Sequence, residues 1–162
     1  MIKKTIKNVL IGTKYLQAYF SNLFQSGGKR ENIRNILVVM TSGIGNMILF
    51  VPALRLLRKN YPNAHICLLV EPRGTKEIME TCPYVDEIVE MKFENRRDKK
   101  LFIKTLQKRN FDLTMVSFTS QNINNAIFTY SLGSPVRIGY DSQRCGIFYT
   151  IRVPEREDEH EV

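Results

Sequence analysis

Between Ile2 and Phe24, apolar residues fall at positions 2, 6, 9, 16, 20 and 23, in steps of three and four with a polar gap at Thr13. That period predicts an amphipathic helix. Lys3, Lys4, Lys7 and Lys14 lie mostly off its apolar stripe, and Ser26-Gly27-Gly28-Lys29 ends it. The pattern changes at Asn35. Ile36 to Met40 is a short continuous apolar run, as expected of a strand buried on both faces of a parallel sheet. A glycine-containing loop leads from it into a helix over about Asn46 to Asn60. After a Pro62-Asn63 turn, His65 to Val70 reads as a second strand and Pro72 to Thr81 as a short helix. Val85–Val89, Asp112–Phe118 and Val136–Ile138 are the third to fifth strands, separated by helices over Arg97–Arg109 and Asn122–Leu132.

Strands alternating with helices at this spacing predict an α/β fold, a doubly wound Rossmann-like parallel sheet with right-handed crossovers. The chain then divides into a basic helical arm and linker (1–32), a Rossmann-like domain (33–153) and an acidic tail (154–162). Ligands of such sheets bind outside the carboxyl ends of the strands, where the strand order reverses. That rule directs attention to Ser42–Asn46, Glu71–Gly74, Ser117–Asn122 and Gly139–Asp141.

Composition narrows the partners. The 162 residues are 43% hydrophobic, enough for an ordinary core, and carry a formal net charge of +8, which favours anionic partners. The charge is concentrated. Seven cations (Lys3, Lys4, Lys7, Lys14, Lys29, Arg30, Arg34) face one acid, Glu31, in the first 35 residues, whereas Glu155–Val162 holds five carboxylates against Arg156. No aromatic-rich basic groove is visible, so nucleic acid is not expected as a partner. Cys67, Cys82 and Cys145 are widely spaced, and His65 and His160 stand in no metal-ligand spacing. Neither a metal nor a disulfide framework is therefore expected, and three free thiols fit a reducing cytosol. Neither a membrane span nor a cleaved signal peptide is expected.

The loops carry the candidate chemistry. In Ser42-Gly43-Ile44-Gly45-Asn46 two glycines allow close approach to the backbone, and the helix amino terminus behind them suits a phosphate or carboxylate. Ile48 occupies the third glycine position of the dinucleotide fingerprint, and no Gly-Lys-Ser/Thr follows, so the loop is neither that motif nor a P-loop. The plainer alternative is a tight turn with Asn46 capping the helix. Glu71 can contact a sugar hydroxyl or act as a base and Arg73 can hold phosphate; alternatively, Pro72 simply starts a helix. Ser120, Asn122 and Asn124 belong to a run of neutral hydrogen-bonding groups suited to sugar hydroxyls, or equally to a capped helix start. Arg137, Tyr140 and Asp141 offer a cation, an aromatic face and a carboxylate, lining a cleft or an exposed loop.

Read in order, these segments resemble a family. ILVVMTSGIGNMILFVPALRLLRKNYPNAHICLLVEP is similar to the opening strand, loop, helix and second strand of family 9 glycosyltransferases, the lipopolysaccharide heptosyltransferase family. CPYVDEIVE, FDLTMV, LGSPVRIGYD and YTIRVPEREDEHEV resemble successive later pieces, so the likeness runs over residues 33 to 162. It implies the N-terminal, acceptor-side half of a GT-B architecture, whose other half binds a nucleotide-sugar such as ADP-heptose. It also implies direct displacement with no metal or cofactor. A base must deprotonate the acceptor hydroxyl while positive charge stabilises the leaving diphosphate.

Two residues depart from the family pattern. Asn46 stands where the heptosyltransferases have an aspartate read as the base, and an amide cannot take a proton. Glu71 and Asp141 become the candidates for that role. Asn124 stands where many relatives carry a basic residue. Because the family's second domain would begin where these residues end, the chain alone is expected to show no turnover. The expected partners are a glycan or glycolipid acceptor, a separate donor-binding domain and, through residues 2–24, an anionic membrane surface. The expected place is the cytoplasm, peripheral on the inner membrane. The competing reading is a non-catalytic, membrane-associated glycan- or lipid-binding module that kept the fold.

Overall fold

The computed structural model describes residues 33–72, 74–117, 123–141 and 145–154. Its centre is β1 (Asn35–Met40), whose run from Ile36 to Met40 is fully buried. Ile36, Val38 and Met40 point into one apolar layer, and Leu37 and Val39 into the other. A strand covered on both faces has no use for alternation, which is why its sequence reads as continuous hydrophobicity. β2 (His65–Val70) has the same pattern. β3 (Glu87–Glu90), β4 (Leu113–Val116), β5 (Val136–Asp141) and β6 (Ile151–Pro154) complete a six-stranded, all-parallel sheet in the order β3-β2-β1-β4-β5-β6.

Helix α1 (Ile44–Asn60) and the short α2 (Thr75–Met79) contribute to the first layer, where Met47, Phe50, Leu54, Leu57 and Met79 meet β1 and β2. Helices α3 (Arg96–Gln107) and α4 (Ile123–Ser131) contribute to the second through Leu106, Ala126 and Phe128. Pro52 sits inside α1. It removes the N–H that would bond the Ile48 carbonyl, but both residues are exposed, so water can replace that bond. The Asn95 side chain caps α3 by accepting from the N–H groups of Arg97 (2.9 Å) and Asp98 (3.0 Å).

The doubly wound α/β expectation holds, with three local corrections. α1 begins at Ile44, two residues earlier than the periodicity suggested, and Gly43 is its cap residue. α2 starts at Thr75 because Gly74 turns the chain in the left-handed region (φ 75°), so Pro72 does not open it. β6 was not foreseen; it adds to the edge of β5 where residues 145–148 form a single 3-10 turn. The arm (1–32) and the tail beyond Pro154 lie outside the described residues, as do Arg73, Ser120 and Asn122. Among the described residues no helix is long and apolar enough to cross a membrane.

Candidate substrate-binding crevice

The two ends of the sheet differ in kind. At the amino ends, charges are spent on one another. Asp112 accepts from the N–H groups of Arg34 (2.8 Å) and Asn35 (2.9 Å), fixing the entry to β1. Asp86 accepts from the Ile66 N–H (2.7 Å) and from Arg58 (2.5 Å). Burial pushes the Asp86 carboxyl up, but these donors outweigh it and leave the group below its ordinary value. Glu87 bonds Arg109 and His65, and chiefly the guanidinium hydrogen bond holds its carboxyl down. Arg109 also lies near Cys67, whose thiol burial raises to about 12. These groups tie strand starts together.

At the carboxyl ends of β1 and β4, by contrast, the following residues are neutral. The chain runs from β1 outward to β2 and β3, then returns to β4 on the other side of β1. The order therefore reverses between β1 and β4, the position at which such sheets leave a crevice. Thr41-Ser42-Gly43 leads from β1 into α1 on one side, and Ser117 leaves β4 on the other. The Asn125 amide donates to the Thr41 hydroxyl (2.8 Å), joining the amino ends of α4 and α1 across the reversal. Ser117 is buried and its hydroxyl donates to the Val39 carbonyl (3.2 Å), closing the crevice floor.

The amino end of α1 is bare. Gly43 is extended (φ −67°, ψ 172°), no side chain caps the helix, and no acid occupies its first turn. An uncapped helix start presents unpaired N–H groups and a partial positive charge. Among the described residues a Cβ on either Gly43 or Gly45 would meet nothing within 4 Å, and neither glycine has positive φ. None of the described residues thus requires glycine at these two exposed positions, whereas a ligand lying on the backbone would. Asn46 is half-buried in the first turn and is not the cap, so the capping alternative for it fails.

The second loop lies beside the first. The Ile44 Cδ1 atom is 3.7 Å from where a Cβ on Gly74 would stand. The Glu71 carbonyl accepts from the Thr75 hydroxyl (2.8 Å), so half-buried Glu71 sits at the base of this turn. Tyr140 and Asp141 end β5, two strands from β1, or roughly 10 Å at ordinary strand spacing. Tyr140 packs on the first core layer, and the exposed Asp141 carboxylate lies against Gly146. Asn124 is exposed on the first turn of α4.

Arg137 is kept apart from this group. It stands near the amino end of β5, where its guanidinium donates to the carbonyls of Phe148 (2.9 Å) and Ser134 (2.6 Å). It also covers the Tyr130 ring at 5.3 Å. Its cation therefore fastens the 3-10 turn to the sheet instead of facing the crevice. Sequence reasoning did not single out Thr41 or Asn125 as partners. Their only signal was position, one after a strand and one in a helix's first turn. Among the described residues no group of three or more His, Cys, Asp or Glu side chains could hold a metal ion.

A six-stranded parallel sheet with one order reversal, beside a bare helix start, defines a Rossmann-like α/β fold. That fold is shared with family 9 glycosyltransferases. A glycosyltransferase of that family from Veillonella parvula matches with a TM-score of 0.63 at 19% identity, over 76% of this chain and 36% of the other. The Escherichia coli heptosyltransferase WaaC, solved with ADP, matches with a TM-score of 0.61 at 21% identity, over 78% and 43% respectively. At such identities the likeness is one of fold, and the chain spans less than half the length of either structure. No protein-family model matches the sequence, and no curated protein does.

Proposed function

We propose that this chain is the acceptor-side half of a glycosyltransferase that moves a sugar, heptose or similar, from a nucleotide-sugar to lipopolysaccharide or another cell-surface glycan. The observation that carries this reading is the bare α1 start with two glycines that no described residue requires, set at the strand reversal of a glycosyltransferase-like sheet. Its N–H groups suit an anionic group of the acceptor. The neutral side chains Ser42, Asn46 and Asn124 suit sugar hydroxyls. Glu71 is the favoured base because its loop borders the α1 start through Ile44 and Gly74; Asp141 serves from the far side of the crevice. The leaving diphosphate is stabilised by a second, donor-binding domain. The basic arm, residues 2–24, holds the assembly at the inner face of an anionic membrane.

The test uses Gly45→Ala. Alanine fits open space at ordinary φ, so it should stabilise the chain by about 0.4–1 kcal/mol through the unfolded state. It should also weaken acceptor use at least tenfold when the chain is supplied with its donor-binding domain and ADP-heptose. Equal transfer by the variant would remove the role of this helix start. Glu71→Gln should then lower kcat more than KM, and unchanged kcat would pass the base role to Asp141. Asn46 in place of an acid supports one second reading, a glycan-binding module without catalysis. Acceptor binding with no transfer by the complete assembly would select it.

A further inference from the structure

One turn apart along α3 stand Arg96, Lys100 and Lys104, with Lys108 at the carboxyl cap continuing the row. At 1.5 Å per residue the row is about 18 Å long. Like charges four residues apart destabilise a helix, and among the described residues none of these four forms an ion pair. Lys99, Ile103 and Gln107 line the shallow groove beside the row. A cation row kept against its own repulsion calls for an external anion.

The neighbouring helix adds a second feature. Ile123, Ile127 and Tyr130 recur along α4 at steps of four and three and are 45%, 46% and 55% exposed. Ile147 of the 3-10 turn is 71% exposed. α3 and α4 cover the same face of the sheet and are tied by the Gln107 amide donating to the Ser131 carbonyl (2.7 Å). One face therefore presents a gently winding cation row beside an exposed apolar stripe. An anionic bilayer satisfies both, headgroup phosphates meeting the cations and the acyl boundary taking the apolar side chains. Other occupants fit less well. A second copy would bring the same cations, and the arm of residues 2–24 has the same sign. A nucleic acid backbone would leave the isoleucines unused.

We infer that the α3–α4 face is a docking surface for anionic phospholipid bilayers, separate from the arm. It stands on these helices whether or not the chain is half of a transferase. Ile123 opens the stripe beside Asn124 and Asn125 at the crevice, so docking would bring the crevice mouth to the bilayer.

The test is partition of the full chain onto equimolar phosphatidylcholine–phosphatidylglycerol vesicles. Loss of one surface-near cation should cost about fivefold, from about 1 kcal/mol each. Lys100→Ala with Lys104→Ala should thus lower partition about 25-fold, with thermal stability maintained. The sequence contains no tryptophan. Ile127→Trp is then the sole indole, and its selectively excited emission should shift to the blue on these vesicles, while that of Arg55→Trp, on the opposite layer, should not. Unchanged partition of the lysine pair, or unshifted Ile127→Trp emission, overturns the proposal. So does loss of binding to a single-stranded oligonucleotide with vesicle binding intact, which would assign the face to nucleic acid.

Discussion

Gly139 offers a sharp quantitative test of how the carboxyl end of β5 is built. It lies buried within β5, opposite Arg152 of β6. A Cβ there would fall closer than 3.0 Å to three ring atoms of Tyr149, Cζ, Cε1 and Cε2. Tyr149 is only 7% exposed, so the ring has little freedom to retreat. Gly139→Ala gains about 0.4–1 kcal/mol from a stiffer unfolded chain. Against this stands about 1–3 kcal/mol for overpacking a filled core, rising further if the ring loses burial. The expected net loss is about 2 kcal/mol, which lowers Tm by about 4–8 °C in a chain of this size. Tyr149→Leu removes the ring, so in that background Gly139→Ala should be neutral or slightly stabilising. The two substitutions then couple by about 1–3 kcal/mol in a double-mutant cycle followed by thermal and urea unfolding. Equal effects of Gly139→Ala in both backgrounds, or a raised Tm with Tyr149 present, would refute the reasoning.

Three further outcomes are expected. Thr129 is fully buried and its hydroxyl has no hydrogen-bond partner among the described residues; the near-isosteric Thr129→Val should stabilise by about 1 kcal/mol in urea unfolding, and a loss would show the hydroxyl is satisfied. Asp86 and Glu87 have folded pKa values below their ordinary 3.8 and 4.5, so their stabilisation is complete above those values and fades as pH falls through the lower folded values. The Tm gap between wild type and Glu87→Gln should accordingly be present at about pH 6 and shrink below about pH 4, and a constant gap would contradict it. Half-buried Cys82 should react with a thiol reagent in the native protein, whereas Cys67, buried and raised to about 12, should react only on unfolding; mass mapping of the modified thiols decides this.

The alternating fold was legible in the sequence because β1 and β2 are buried on both faces, and only unbroken apolar runs survive there. β6 was not legible: Ile-Arg-Val-Pro is too short and mixed to declare a strand, and it becomes one by pairing with the edge of β5. The reversal rule likewise pointed to Ser42–Asn46 from the order of elements alone. What the chain order could not show was which loop residues meet. Thr41 and Asn125 are 84 residues apart and touch only because β4 returns beside β1. Arg137 and Asp141 are four residues apart, but a strand rises about 3.3 Å per residue, which puts them at opposite ends of β5, about 13 Å apart. Local periodicity, a property of neighbours in the chain, determined the elements. The crevice depends on strand order and on which end of a strand a residue occupies, and only the packed sheet decides that.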